Sequence, residues 1–227
     1  MKTQELRRCL VLTVPVMLAY VSIGIPCGVI EAQAGLTPLM ALLLSATYYS
    51  GAGQFMVGGM WLSGISVVSI LLSVSLVTTR QLLYSAAFAP YLGAERRGKS
   101  LAFAALVTDE TFGINLSQFS AREGWDLAHA QVVNVACMLS WALANCLGAA
   151  LGTVLDLPTD VMSFGMTAIF ICLLVSQLTD GVTGFAAAVA ASTVALCKLL
   201  GFDGAAIFVG ALAGVASGVV VGEVHAR

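Results

Sequence analysis

Eight apolar runs, separated by short polar or glycine-proline punctuation, make up almost the whole chain. They cover roughly residues 9–30, 39–62, 66–91, 101–119, 128–155 and 161–177, then a seventh run ending near Leu200 and an eighth over about 205–221. A bilayer core of about 30 Å takes about 20 residues of helix, so the pattern predicts membrane-spanning helices. Long unbroken runs exclude a transmembrane barrel, whose strands alternate over about ten residues. The predicted fold class is all-α: a polytopic transmembrane bundle of seven to eight segments with broken or kinked helices. Residues 1–227 then form one integral-membrane domain.

Breaks in the pattern refine this. Pro15 and Pro26 lie inside the first run, with Gly24 and Gly28 around the second proline. They predict a kink, because proline removes a backbone hydrogen bond. Glu31, Gln33, Gly35 and Pro38 predict a short loop. The second run carries Thr47-Tyr48-Tyr49-Ser50-Gly51-Ala52-Gly53-Gln54-Phe55 at its middle. This is either a broken helix, whose freed backbone groups bind a charged solute, or close packing through small residues. In the third run Ser66, Ser69, Ser73, Arg80 and Tyr84 share one helical stripe, which predicts a polar face turned into the bundle. Pro90 ends that run, and Glu95, Arg96, Arg97 and Lys99 form the most basic loop.

The fourth run holds the most costly residues. In Leu106-Val107-Thr108-Asp109-Glu110-Thr111-Phe112-Gly113-Ile114-Asn115, two adjacent carboxylates sit within apolar sequence. A charge at membrane depth costs at least about 2.5–3.5 kcal/mol. Thr108, Thr111, Asn115 and Gln118 share a stripe, whereas Asp109 and Glu110 lie about 100° and 200° around the helix from Thr108. The helix is therefore buried on all sides or unwound at this site; a solvated site near an interface is the third possibility. In the fifth run Gln131, Asn134, Trp141, Asn145, Gly148 and Gly152 share a stripe, and Gly148-x-x-x-Gly152 permits close helix contact. Its polar members either line a pathway or bond a neighbouring helix. Asp156, Pro158 and Asp160 predict a turn. Leu178-Thr179-Asp180-Gly181-Val182-Thr183-Gly184 loosely echoes the Thr108–Gly113 stretch. Gly210, Gly214, Gly218 and Gly222 recur every fourth residue, a packing stripe for this chain or a partner subunit.

Composition narrows the class further. Hydrophobic residues make up 59% of the 227 and charged ones 10%, with a mean hydropathy of +0.96. Soluble domains are about 45–50% apolar and about 25% charged, so the lipid bilayer is this chain's solvent. A net charge of −2 with scattered basic residues leaves no nucleic-acid footprint. The six cysteines (9, 27, 137, 146, 172, 197) lack C-x-x-C spacing and read as small core residues. No metal or cofactor site is expected. His129 and His225 are the only histidines, and neither accompanies a nucleophile, so no catalytic residue is assigned and an enzyme is not expected. The N-terminal basic residues precede a run longer than a signal-peptide core and without a small-x-small site, which predicts a first span.

Three motifs carry a family resemblance: Ser50-Gly51-Ala52-Gly53-Gln54-Phe55; Arg80-Gln81-Leu82-Leu83-Tyr84 with Ala89-Pro90; and Thr108-Asp109-Glu110-Thr111-Phe112. In the same order, with the Pro15 and Gly24–Gly28 region, the Trp141–Gly152 run and Phe164 to Gln177, the chain resembles the AzlC-type large subunit of branched-chain amino-acid exporters. Thr79 and Gln81 stand where that family often has Asn and His. The resemblance implies a bacterial inner-membrane permease that exports Leu, Ile, Val and often Met, together with a small hydrophobic AzlD-type membrane subunit.

The candidate substrate-binding residues are Gly51, Gly53, Gln54, Arg80, Tyr84, Thr108, Asp109, Glu110, Thr111, Asn134, Trp141 and Asn145. Gly51–Gln54 and Arg80 are expected to receive the amino-acid carboxylate, and Asp109 or Glu110 the ammonium. Asp109 and Glu110 are also the candidate proton carriers, with the proton gradient as driving force. A passive channel for a small neutral or zwitterionic solute is the alternative. Lys2, Arg7 and Arg8 predict a cytoplasmic N-terminus, yet three full spans would then put the Arg96–Lys99 loop outside. A re-entrant segment among the first three removes that conflict.

Overall fold

The computed structural model describes residues 3–93, 97–121, 124–154, 164, 167–168, 171–172, 174–175, 178 and 180–225. It is all-α, with ten helices among the described residues. The first four are α1 (Thr3–Gln33), α2 (Pro38–Thr47), α3 (Gly51–Leu62) and α4 (Val67–Ala87). After them come α5 (Ala89–Leu92), α6 (Arg97–Ala104), α7 (Asp109–Ala121) and α8 (Leu127–Val154). The last two are α9 (Gly181–Leu199) and α10 (Asp203–His225). Five of them, α1, α4, α8, α9 and α10, are long and apolar enough to cross a membrane. The chain is a multi-pass helical membrane protein. The predicted 156–160 turn and most of the 161–177 run lie outside the described residues.

Helices α1 and α8 form the spine, and glycines set their spacing. A side chain on Gly28 would overlap the Asn145 carbonyl and the Ala149 amide, and one on Gly148 would overlap the Ile25 carbonyl. Gly152 packs closely on Val29 and Ala32, with less severe crowding. Contacts advance together along both chains, from Ser140 donating to the Met17 carbonyl at 3.1 Å to Gly152 at Ala32, so the two helices run parallel. In lipid, where apolar surface gains nothing from association, such backbone proximity is what holds helices together. Pro15 and Pro26 are both accommodated within continuous α1. Leu18, Leu143 and Leu147 are exposed on the outer faces, as lipid contact requires.

The second and fourth runs are hairpins. Tyr48–Ser50 interrupts α2 and α3, where Ser50 caps α3 by accepting from the Gly53 amide at 3.3 Å. A side chain at Gly53 would collide with Tyr48, which folds over the start of α3. From there α3 returns toward the face it came from, since Gly58 abuts Ile30 near the end of α1. Likewise α6 and α7 meet at residues 105–108. Thr108 and Thr111 cap each other, the Thr108 amide donating to Thr111 Oγ1 at 2.9 Å and the Thr111 amide to Thr108 Oγ1 at 3.4 Å. Both open ends of this hairpin lie at the N-terminal face: Phe103 and Phe119 meet Phe88, and Gln118 accepts from Arg8. The two hairpins thus enter from opposite faces. Their tips meet at mid-depth, where Tyr20 approaches both Tyr49 and Thr108. The chain is therefore unwound at residues 105–108, immediately before Asp109, and is not one helix buried on all sides.

Several expectations need correction. Glu31 and Gln33 belong to α1, and the loop is confined to residues 34–37. Pro90 does not end α4; it sits in the first turn of α5, where its missing N–H costs nothing. In the α4 stripe Ser66 is exposed and is the N-cap, accepting from the Ser69 amide, and Ser69 is half-buried. Ser73 is buried. The glycine stripe of α10 is already occupied by this chain, because Gly210 and Gly214 abut Val194, Ala190 and Ala186 of α9. All six cysteines are free, with Cys9, Cys27 and Cys137 buried.

Candidate functional site

Where the hairpin tips meet α1, α4 and α8, a cavity of about 440 Å³ opens, a size typical of small-molecule sites. Two half-helices begin on its wall. Gly51 and Ala52, the first residues of α3, line it; so do Asp109 and Glu110, the first residues of α7. A helix N-terminus leaves amide groups without intrahelical partners and carries a partial positive charge. The α7 end is matched by its own two carboxylates. The α3 end, with no acidic residue in its first turn, suits an anion from outside.

The charged groups are not equivalent. Arg80 Nη2 lies 2.9 Å from Asp109 Oδ2, with the two side chains 31% and 25% exposed. The Tyr84 hydroxyl donates to the other Asp109 oxygen, so that carboxylate is engaged on both sides. Glu110 is more open. Its Oε2 accepts from the Tyr20 hydroxyl at 2.7 Å, and the residue is exposed at the cavity. Tyr20 in turn lies 2.8 Å from Thr108 Oγ1, which ties α1 to the α7 tip. Ile23, Phe55 and Trp141 supply an apolar wall of the same cavity. The Trp141 indole N–H donates to Gln54 Oε1, and Gln54 Nε2 donates to Ser45 Oγ at 3.1 Å.

Six of the twelve candidate residues line the cavity: Gly51, Arg80, Thr108, Asp109, Glu110 and Trp141. The other six stand behind it. Gly53 packs under Tyr48, Gln54 positions Trp141, Tyr84 engages Asp109, and Thr111 caps Thr108. Asn134 accepts from Asn115 Nδ2 at 2.9 Å, fully buried between α7 and α8. Asn145 donates to the Trp141 carbonyl at 2.9 Å. Asn115 Oδ1 and Asn134 Nδ2 have no protein partner, a common sign of buried water. Sequence reasoning passed over Tyr20, Ile23, Gln81, Ala168 and Cys172, which also line the cavity. The available signal was Tyr20, the only aromatic residue of α1.

Comparison with known proteins agrees with the motifs. Residues 15–155 match the AzlC family model, described as AzlC protein. The chain is similar to the branched-chain amino acid transport protein AzlC of Bacillus subtilis, 23% identical over 169 residues, which is 73% of this chain and 65% of that protein. It is 29% identical over 217 residues to a membrane protein of Archaeoglobus fulgidus, covering 94% of each. Similarity to inner membrane protein YgaZ of Escherichia coli is 24% over 147 residues, 62% of this chain and 58% of the relative. No solved structure matches the chain. Since that match takes in most of the chain and contains both hairpins, α4 and α8, the chain belongs to the AzlC family.

Proposed function

We propose that this chain is the large subunit of a bacterial inner-membrane permease that exports branched-chain amino acids, Leu, Ile, Val and with them Met. It works with a small hydrophobic AzlD-type subunit and is driven by the proton gradient. The observation that carries the reading is the meeting, in one cavity, of the charged Arg80, Asp109 and Glu110 with the apolar Ile23, Phe55 and Trp141. A zwitterion leaving water must have both charges replaced. The Gly51 and Ala52 amides and Arg80 receive the carboxylate, Glu110 receives the ammonium, and Ile23, Phe55 and Trp141 take the aliphatic side chain. Asp109 holds Arg80 in place. The relative named as a branched-chain amino acid transport protein supports this substrate class.

The hairpins support an orientation. Because the α2–α3 segment turns back, Arg97 and Lys99 fall on the same face as Arg7 and Arg8: Lys99 lies beside Asp126 and Leu127, and Arg8 reaches Gln118. By the positive-inside rule that face is cytoplasmic. Two hairpins and five long helices make seven segments among the described residues.

The test is counterflow of labelled leucine in vesicles, with and without a pH gradient and with and without the small subunit. Saturable counterflow that a pH gradient converts into net accumulation supports the reading. Absence of leucine counterflow with the small subunit present refutes it, and unsaturable flux without any gradient assigns a passive channel instead.

A further inference from the structure

Glu31 stands apart from the cavity. It occupies the last turn of α1, at the face opposite the N-terminus, and is only 2% exposed. Its Oε2 is buried without a hydrogen-bond partner. Its Oε1 is approached by the Cys27 thiol at 4.0 Å, a weak donor at long range. Among the described residues no cation is paired with it. Residues 34–66, which include α2 and α3, contain no Lys, Arg, His, Asp or Glu; their ionisable groups are Tyr48 and Tyr49. On α8 the ionisable groups are His129, Cys137 and Cys146, with His129 at the other end of the helix.

An ionised carboxylate in such a place has neither a counter-charge nor strong donors, so this conformation accommodates the neutral acid. Asp109 and Glu110 differ: Asp109 is paired with Arg80 and accepts from Tyr84, and Glu110 accepts from Tyr20, so each has a close partner that Glu31 lacks. Buried acids of this kind in membrane helices mark proton pathways. We propose that Glu31 is a proton-carrying carboxyl of the transport cycle, protonated from the face opposite the N-terminus and deprotonated when the helices around it rearrange. The proposal rests on the exporter reading above: one proton, taken up by Glu31 from water at the face opposite the N-terminus, is released to water at the N-terminal face as one zwitterion leaves, and Glu31 ends each cycle protonated as it began. Asp109 and Glu110 then serve binding, not proton carriage.

The test compares Glu31→Gln, a permanent mimic of the neutral acid, with the wild-type chain in vesicles containing the small subunit. The expected result is leucine counterflow within about two-fold of wild type, with stimulation by an imposed pH gradient abolished. Retained counterflow shows that the variant is folded and binds leucine. Undiminished gradient stimulation in Glu31→Gln would overturn the proposal. So would equal loss of counterflow and stimulation, which makes Glu31 a packing residue. If the wild-type chain itself shows no leucine counterflow, it is the exporter reading that fails.

Discussion

Replacing Glu110 by Gln tests the assignment of the ammonium site. The substitution keeps the shape and keeps an oxygen that can accept from Tyr20, whose hydroxyl now lies 2.7 Å from Glu110 Oε2. What it removes is the charge. Asp109 offers no substitute, because Arg80 and Tyr84 already hold its two oxygens. A hydrogen bond to a charged group contributes roughly 1.5–3 kcal/mol net, so the half-saturation concentration for leucine in counterflow is expected to rise roughly 10- to 150-fold. Competition by the matching carboxylic acid, which lacks the ammonium, controls for damage to the cavity. Its inhibition constant is expected to stay constant or improve, since one negative charge has left the site. An unchanged leucine half-saturation would refute the ammonium assignment. Equal weakening of leucine and the ammonium-free acid would show that Glu110 shapes the cavity without reading charge.

Other consequences follow from the packing and the pairs. Gly28→Val drives a side chain into the Asn145 carbonyl and Ala149 amide, and backbone cannot yield as a side chain does. The loss is expected at or above the upper end of the about 1–3 kcal/mol typical of overpacking, seen as a lowered melting temperature in detergent. Gly184→Ala, on a face open for 4 Å, is expected to match or exceed wild type. Arg80→Gln leaves Asp109 without its cation. Exposures of 31% and 25% place the cost between exposed and fully buried pairs, about 1–3 kcal/mol, and Arg80→Gln with Asp109→Asn is expected to lose less than the two singles added. At the N-terminus of α8, burial pushes the Asp126 carboxyl up. Hydrogen bonds from the His129 backbone and ring outweigh that and hold it below its usual range. A lowered native value means the stabilisation is complete above the ordinary carboxylate range and is lost as pH falls through the native value. The melting-temperature difference between wild type and Asp126→Asn should therefore be constant near neutrality and vanish in strong acid.

Much of the site was legible because its chemistry is local. A helix that breaks inside lipid must satisfy its freed backbone groups nearby. Ser50 before Gly51-Ala52-Gly53 and the Thr108/Thr111 pair do so within three residues, so the breaks are written in the sequence. Asp180 and Thr183 repeat that reciprocal cap at the start of α9. Arg80 and Asp109 were visible as charges too costly to leave unpaired. Tyr20 was overlooked, because a lone tyrosine in an apolar run looks like any other core residue. Asn134 and Asn145 share a stripe with Trp141, yet one faces Asn115 and the other the Trp141 carbonyl. Periodicity says which residues share a face, not what the face meets.

Hydropathy by itself settled the solvent and the helical class, and with the capping and glycine residues it marked where helices break and which faces pack closely. These depend on the cost of bare charge and bare backbone in lipid, and every residue carries that cost wherever the chain goes. Only the tertiary structure decided direction. A span that continues and a hairpin that turns back have the same apolar pattern; the contacts of Gly58 with Ile30 and of Arg8 with Gln118 separate them. That choice brings Arg80, Asp109 and Glu110 to one cavity, and it seals Glu31, apparent loop by composition, inside the protein. Burial is a property of neighbours distant in sequence, and a one-dimensional pattern does not contain them.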